Sequence, residues 1–168
     1  MKIETTILKN LLQNEDYARK VLPFLNDKYF TENSDKIVYN QINNFILKYN
    51  SLPNKEALNI ELSEAKITEE DFKESINLIN EIGKDDQEFS DLSWLLDSTE
   101  KFCQDKAIYN AVVESISILD NPKSTTDKGA IPDILSDALA VSFDPHVGHD
   151  YIDDSSDRFD YYHRIEER

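Results

Sequence analysis

Apolar residues recur along the first half of the chain at intervals of three and four, the spacing that places them on one face of a helix. Ile3, Ile7, Leu8, Leu11 and Leu12 predict a first amphipathic helix. Tyr17, Val21, Leu22 and Leu25 predict a second, broken near Pro23, and Lys28-Tyr29-Phe30 reads as a short aromatic connector. Ser34 is placed to cap a third helix carrying Ile37, Val38, Ile42, Phe45, Ile46 and Tyr49. After a turn over Asn50–Asn54, Asn54 caps a short helix through Ala57, Leu58 and Leu62. Thr68-Glu69-Glu70-Asp71 opens a further helix in the manner of a capping box, with Asp in the usual Glu position. That helix carries Phe72, Ile76, Ile79 and Ile82, and Gly83 suits its end. No segment alternates with period two, so no strand is expected and the fold class is all-α.

Residues 84–91 are polar and acidic and mark an internal boundary. Beyond them a long helix is expected from about Asp91 to Leu119, reaching roughly 40–45 Å at 1.5 Å per residue, longer than a compact small domain is wide. It carries two stripes. One holds Phe102, Tyr109, Val112, Ile116 and Leu119; the other holds the small residues Cys103, Ala107, Ala111 and Ser115, which let another helix approach closely. A polar turn over 120–128 leads to a returning helix over 131–143, with Ile131, Ile134, Leu135, Ala138, Leu139 and Ser142 on one face. Pro132 suits its first turn, where a missing N–H costs nothing, and Asp133 sits where the helix dipole favours negative charge.

The two helices read as a hairpin that cannot cover its own apolar faces. The return arm is marginal alone in water. Each large apolar side chain left exposed forgoes on the order of 1.5–3 kcal/mol, which should drive docking onto the first domain or onto another copy. The length of the helix favours another copy, through Phe102, Ala107, Ala111, Val112, Ile116, Ile134, Leu135 and Leu139. After Phe143 the apolar pattern stops and an acidic, aromatic connector begins, with Pro145 and Gly148 shaping a hinge. The expected organisation is a globular helical domain over 1–88, the hairpin over 89–143 and a linker over 144–168.

Composition narrows the function. The 168 residues hold 34 Asp and Glu against 18 Lys and Arg, a net charge of −16, with no basic block. That works against gripping a phosphate backbone, which needs clustered Lys and Arg. Cys103 is the only cysteine, so no internal disulfide forms and a reducing, cytoplasmic setting is expected. No apolar run approaches the 18 residues of a membrane span.

Chemical motifs are sparse. There is no phosphate-binding loop and no dinucleotide fingerprint, so the chain alone is not expected to bind or hydrolyse ATP, and no catalytic, cofactor or metal residue is assigned. His146, His149 and Asp150, with Asp153, Asp154 and Asp157, match no standard zinc or EF-hand spacing and read as a solvated connector. A metal-dependent hydrolase would have to rest on those two histidines. Cys103 reads as packed, Glu69, Glu70 and Asp71 as helix-start acids, and Trp94 as packing beside Leu95 in a core or interface.

Two tracts carry a resemblance. One runs Gly129-Ala-Ile-Pro-Asp-Ile, Ala138-Leu139, Ser142-Phe143-Asp144, Val147-Gly148-His149-Asp150 and Asp153-Asp154; the other holds Trp94-Leu95, Thr99-Glu100-Lys101 and Ala107 with Asn110-Ala111. Weaker echoes are Tyr29-Phe30 and Pro53 with Ala57-Leu58-Asn59. Together they resemble the N-terminal part of the T-even-type phage replicative DNA helicases, of the DnaB-like hexameric family. The resemblance implies a helical globular domain and a hairpin that pairs between subunits into a collar, often a trimer of dimers, above a hexameric ring. It also implies contacts with primase and a helicase loader, and a cytoplasmic setting in the infected host. ATP and Mg, unwinding and DNA contact would belong to a motor domain after the linker, which is expected to be absent from this chain. The alternative expectation is a free-standing acidic adaptor, or a mimic of DNA charge that captures a basic partner.

Overall fold

The computed structural model describes residues 2–84, 91–121, 123 and 126–143. Among these residues there are seven α-helices and no strand. The helices are α1 Ile3–Gln13, α2 Glu15–Val21, α3 Asn33–Tyr49, α4 Lys55–Ser63, α5 Glu69–Ile82, α6 Leu92–Asp120 and α7 Ile131–Leu139. The expected all-α class, with a helical globule followed by a hairpin, is what the chain adopts. The linker expected over 144–168, including Pro145, Gly148 and both connector histidines, lies outside the described residues.

Local chemistry sets most helix starts. Asn14 accepts from the Tyr17 amide at 3.0 Å and turns α1 into α2. Asn54 accepts from the Ala57 amide at 2.7 Å, and Thr68 Oγ1 from the Asp71 amide at 3.1 Å, both satisfying donors that a helix start would otherwise leave open. Asp91 caps α6 by accepting from Ser93 and Trp94. Helix α3 ends on Asn50 in the left-handed region (φ 53°), which Asn tolerates better than most side chains. Gly83 closes α5 for reasons of space: a Cβ there would lie 2.9 Å from the Ile79 carbonyl oxygen and 3.2 Å from the Lys55 side chain.

Three expectations need correction. Ser34 does not cap α3. Glu32 is the cap residue, without a side-chain cap bond, and Ser34 is buried inside the first turn. Lys28-Tyr29-Phe30 is more than a connector: Asp27–Tyr29 form a 3-10 turn that delivers Phe30 fully into the core, 5.3 Å from the Tyr39 ring and 5.7 Å from the Phe102 ring. Helix α7 stops at Leu139 rather than running to 143.

The core is one cluster. Ile7, Leu8 and Leu11 of α1, Tyr17 and Val21 of α2, Val38 and Ile42 of α3, Leu58 and Leu62 of α4 and Ile79 and Ile82 of α5 are buried together. Leu95, Phe102 and Cys103 from the first half of α6 belong to the same cluster, and Val141 and Phe143 pack against it. Polar ties reinforce the join. Tyr17 OH and Thr99 Oγ1 lie 2.6 Å apart in a buried hydrogen bond, and Tyr39 OH donates to the Leu25 carbonyl. Gln13 Nε2 donates to the Ile82 and Lys84 carbonyls, fastening the end of α1 to the end of α5.

Asp35, in the first turn of α3, is a strained point in this packing. Its Oδ2 is buried and without a hydrogen-bond partner among the described residues. Burial pushes its carboxyl above the ordinary 3.8; Lys2 pulls it back, while Glu32, Glu4 and Glu81 push it further up. A raised folded-state value means the native state holds the proton more tightly than the unfolded chain does. The stability this provides is full below 3.8 and is lost as pH rises through the folded value. Thermal melts of Asp35→Asn and the parent from pH 3.5 to 7 should therefore show the variant gaining on the parent as pH rises. A pH-independent gap would contradict this assignment.

Candidate self-association surface

Helix α6 changes surroundings half-way along. Its first half lies in the core, and its last polar ties to the globule are Lys106 Nζ to Thr31 Oγ1 at 3.3 Å and Asn110 Nδ2 to the Lys28 carbonyl at 3.0 Å. Beyond Asn110 the helix continues for ten residues, about 15 Å at 1.5 Å per residue. On that outer half only Ala111, Ser115 and Ile118 are buried. They lie on the side against which α7 packs, with Ala138 buried on α7. Small side chains at four-residue spacing thus do admit a close helix, and in this chain that helix is its own α7.

The flank next to that side is left exposed. Ile108, Tyr109, Val112, Val113, Ile116 and Leu119 are all exposed, Ile116 by 51% and Tyr109 by 63%. At 100° per residue they occupy one arc of roughly 140°. Tyr109, Val112, Ile116 and Leu119 follow one another at intervals of three, four and three, the seam spacing of coiled coils. The seam lines up with Leu95 and Phe102 at seven-residue intervals, so the line that enters the core at the base of α6 emerges from the globule exposed.

The residues expected at the interface separate into groups. Phe102 is only 7% exposed and belongs to the core. Ala111 is 5% exposed on the α7 side, Ala107, Ile134 and Leu135 are half-buried, and Val112, Ile116 and Leu139 are exposed. Arginine at position 111 would consequently lift the chain's own α7. Ile108 and Val113 belong to the bare arc but lie outside the stripe read from the sequence, because periodicity alone does not say which side of a helix a short return arm covers. Trp94 is also exposed, far down α6 from the bare arc.

The described residues contain no group of three or more His, Cys, Asp and Glu able to hold a metal ion. The Cys103 thiol is buried, and burial, followed by the charge of Glu100, pushes it up to about 12. Two small cavities lie among the described residues, of about 30 Å³ beside Ala18, Leu22 and Ile46 and about 60 Å³ beside Phe45, Tyr49 and Glu61. No described helix is long and apolar enough to cross a membrane.

No family model matches the chain. It is 35% identical over 161 residues to a DnaB-like replicative helicase of Enterobacteria phage T4, an alignment that takes in 91% of this chain. The same alignment takes in 33% of the relative, so the chain spans about a third of that protein's length. The likeness to the DnaB-like replicative helicases read from the sequence is therefore a homology to about one third of such a protein.

Proposed function

We propose that the chain is the non-catalytic N-terminal assembly domain of a phage replicative helicase, and that copies of it associate through the bare face of α6. The carrying observation is the run Tyr109, Val112, Ile116 and Leu119, exposed at coiled-coil spacing on a helix that outreaches its globule. Contiguous apolar surface of this kind marks interaction sites on soluble proteins. The division of labour expected from the sequence, with a globule over 1–88 and an assembly hairpin over 89–143, fits this role, although the base of α6 is shared with the core. In this reading the collar is a dimer or a trimer of dimers in a hexameric parent, and primase and a helicase loader dock on it in the cytoplasm of the infected host. ATP, Mg and DNA are handled by the parent's motor domain.

Light scattering tests the central step. At tens of micromolar the 19.5 kDa chain should give a mass at least twice that of one copy. The mass should persist at 0.5 M salt, because apolar contact is not screened and the mutual repulsion of chains at −16 is. A monomer at that concentration would refute the reading. Tight capture of a basic DNA-binding protein, lost on adding salt, would favour an acidic adaptor instead.

A further inference from the structure

The nine residues of α7 are too few to hold a helix in water unaided. Packing on Ala111, Ser115 and Ile118 supplies part of what is missing. The rest lies just beyond the helix. After Ala140 the chain leaves helical geometry and three successive residues are fastened to α6 and to the 3-10 turn Leu22–Phe24. The Val141 carbonyl accepts from Gln104 Nε2 at 3.0 Å. The Phe143 amide donates to Glu100 Oε2 at 2.6 Å, and Ser142 Oγ reaches the same oxygen at 3.4 Å. The Phe143 ring stacks on Phe24, with centroids 4.8 Å apart and planes at 29°. Glu100 and Gln104 are four residues apart and so present both partners from one face of α6. A carboxylate accepting from a backbone amide makes a stronger bond than a neutral pair does.

We infer that residues 141–143 are a latch that holds α7 closed over the small-residue face of α6, and that Glu100 is the positioning residue of that latch. The contacts involved join the end of the arm to one face of α6 and to Phe24, at the edge of the core. Releasing them frees α7 and uncovers Ala111, Ser115 and Ile118 while the cluster of Ile7, Ile42 and Ile79 stays packed. The hairpin then has a second apolar face, held in reserve beneath its own arm, in addition to the one it leaves bare. This inference does not depend on the assembly reading, since it concerns one copy of the chain.

Two thiols in the full chain can report it. Ser115→Cys is close to isosteric and places a probe beneath α7, while the native Cys103 in the core reports opening of the globule. The probe is a maleimide at sub-micromolar protein, with labelling at each site followed by peptide mass spectrometry. Adding Glu100→Ala or Phe143→Ala should speed labelling of the introduced thiol roughly tenfold, as expected for loss of a charge-assisted bond or a half-buried stacked ring. Cys103 should keep its slow rate in the Phe143→Ala background, where the neighbouring charge is unaltered. Glu100→Gln, which retains an acceptor oxygen, should restore much of the protection. Unchanged labelling at position 115 in both variants would overturn the latch, as would equal acceleration at positions 115 and 103.

Discussion

Leu95→Ala should lower the stability of the chain by about 3 kcal/mol, within the 2–5 kcal/mol usual for a buried Leu truncated to Ala. Leu95 is fully buried at the base of α6, in the cluster that holds Ile7, Leu8 and Leu11. Its removal loses apolar burial and leaves a cavity that surrounding helices, tied by the Tyr17–Thr99 bond and by Gln13, are poorly placed to fill. Leu119, on the same helix, is 55% exposed beyond the globule. Leu119→Ala should change the stability of a dilute sample by no more than about 0.5 kcal/mol, as for other exposed positions without special contacts. Urea melts followed by circular dichroism at low micromolar protein measure both. A loss below 1 kcal/mol at position 95 would mean that the base of α6 is not part of the core. The comparison matters because one continuous helix has two surroundings here: a root set in the core of the globule and a limb that leaves apolar residues exposed.

The root and the limb were legible in the sequence to different degrees. Helix starts governed by a single side chain, Asn54 and Thr68, could be read directly, because the cap and the amide it serves are three residues apart. The long helix and its return arm followed from periodicity. What was not legible depends on contacts distant along the chain. Ser34 has the chemistry of a cap but is drawn into the interior, leaving Glu32 at the boundary. Phe30 sits among polar and turn-forming residues, and only the rings of Tyr39 and Phe102 explain its complete burial. The end of α7 was read too far on because Ser142 continues the apolar face at helical spacing. Gln104 and Glu100, some 40 residues earlier, take the Val141 carbonyl and the Phe143 amide out of the helical pattern. The two stripes of α6 were visible, but which one an intramolecular neighbour covers was decided by the reach and direction of α7.

That choice yields the second large effect. Val112→Glu combined with Ile116→Glu should convert the associated chain to a monomer, weakening association by a factor of about 10²–10⁴. Burying a large apolar side chain is worth about 1.5–3 kcal/mol, so two removed from a seam forfeit roughly 3–6 kcal/mol, and every 1.4 kcal/mol is tenfold. Carboxylates facing the same seam of another acidic copy add repulsion. The fold should survive, because Val112 and Ile116 are 42% and 51% exposed. Like charges four residues apart on the helix cost only about 0.2–0.5 kcal/mol. A control distinguishes the seam from surface hydrophobicity in general: Leu47, on α3 of the globule, is 75% exposed, and Leu47→Glu should leave the oligomeric mass unchanged. Sedimentation at tens of micromolar separates the outcomes. If the doubly substituted chain keeps the parent's mass, the bare arc of α6 is not the contact; if Leu47→Glu also dissociates it, association is not confined to the limb.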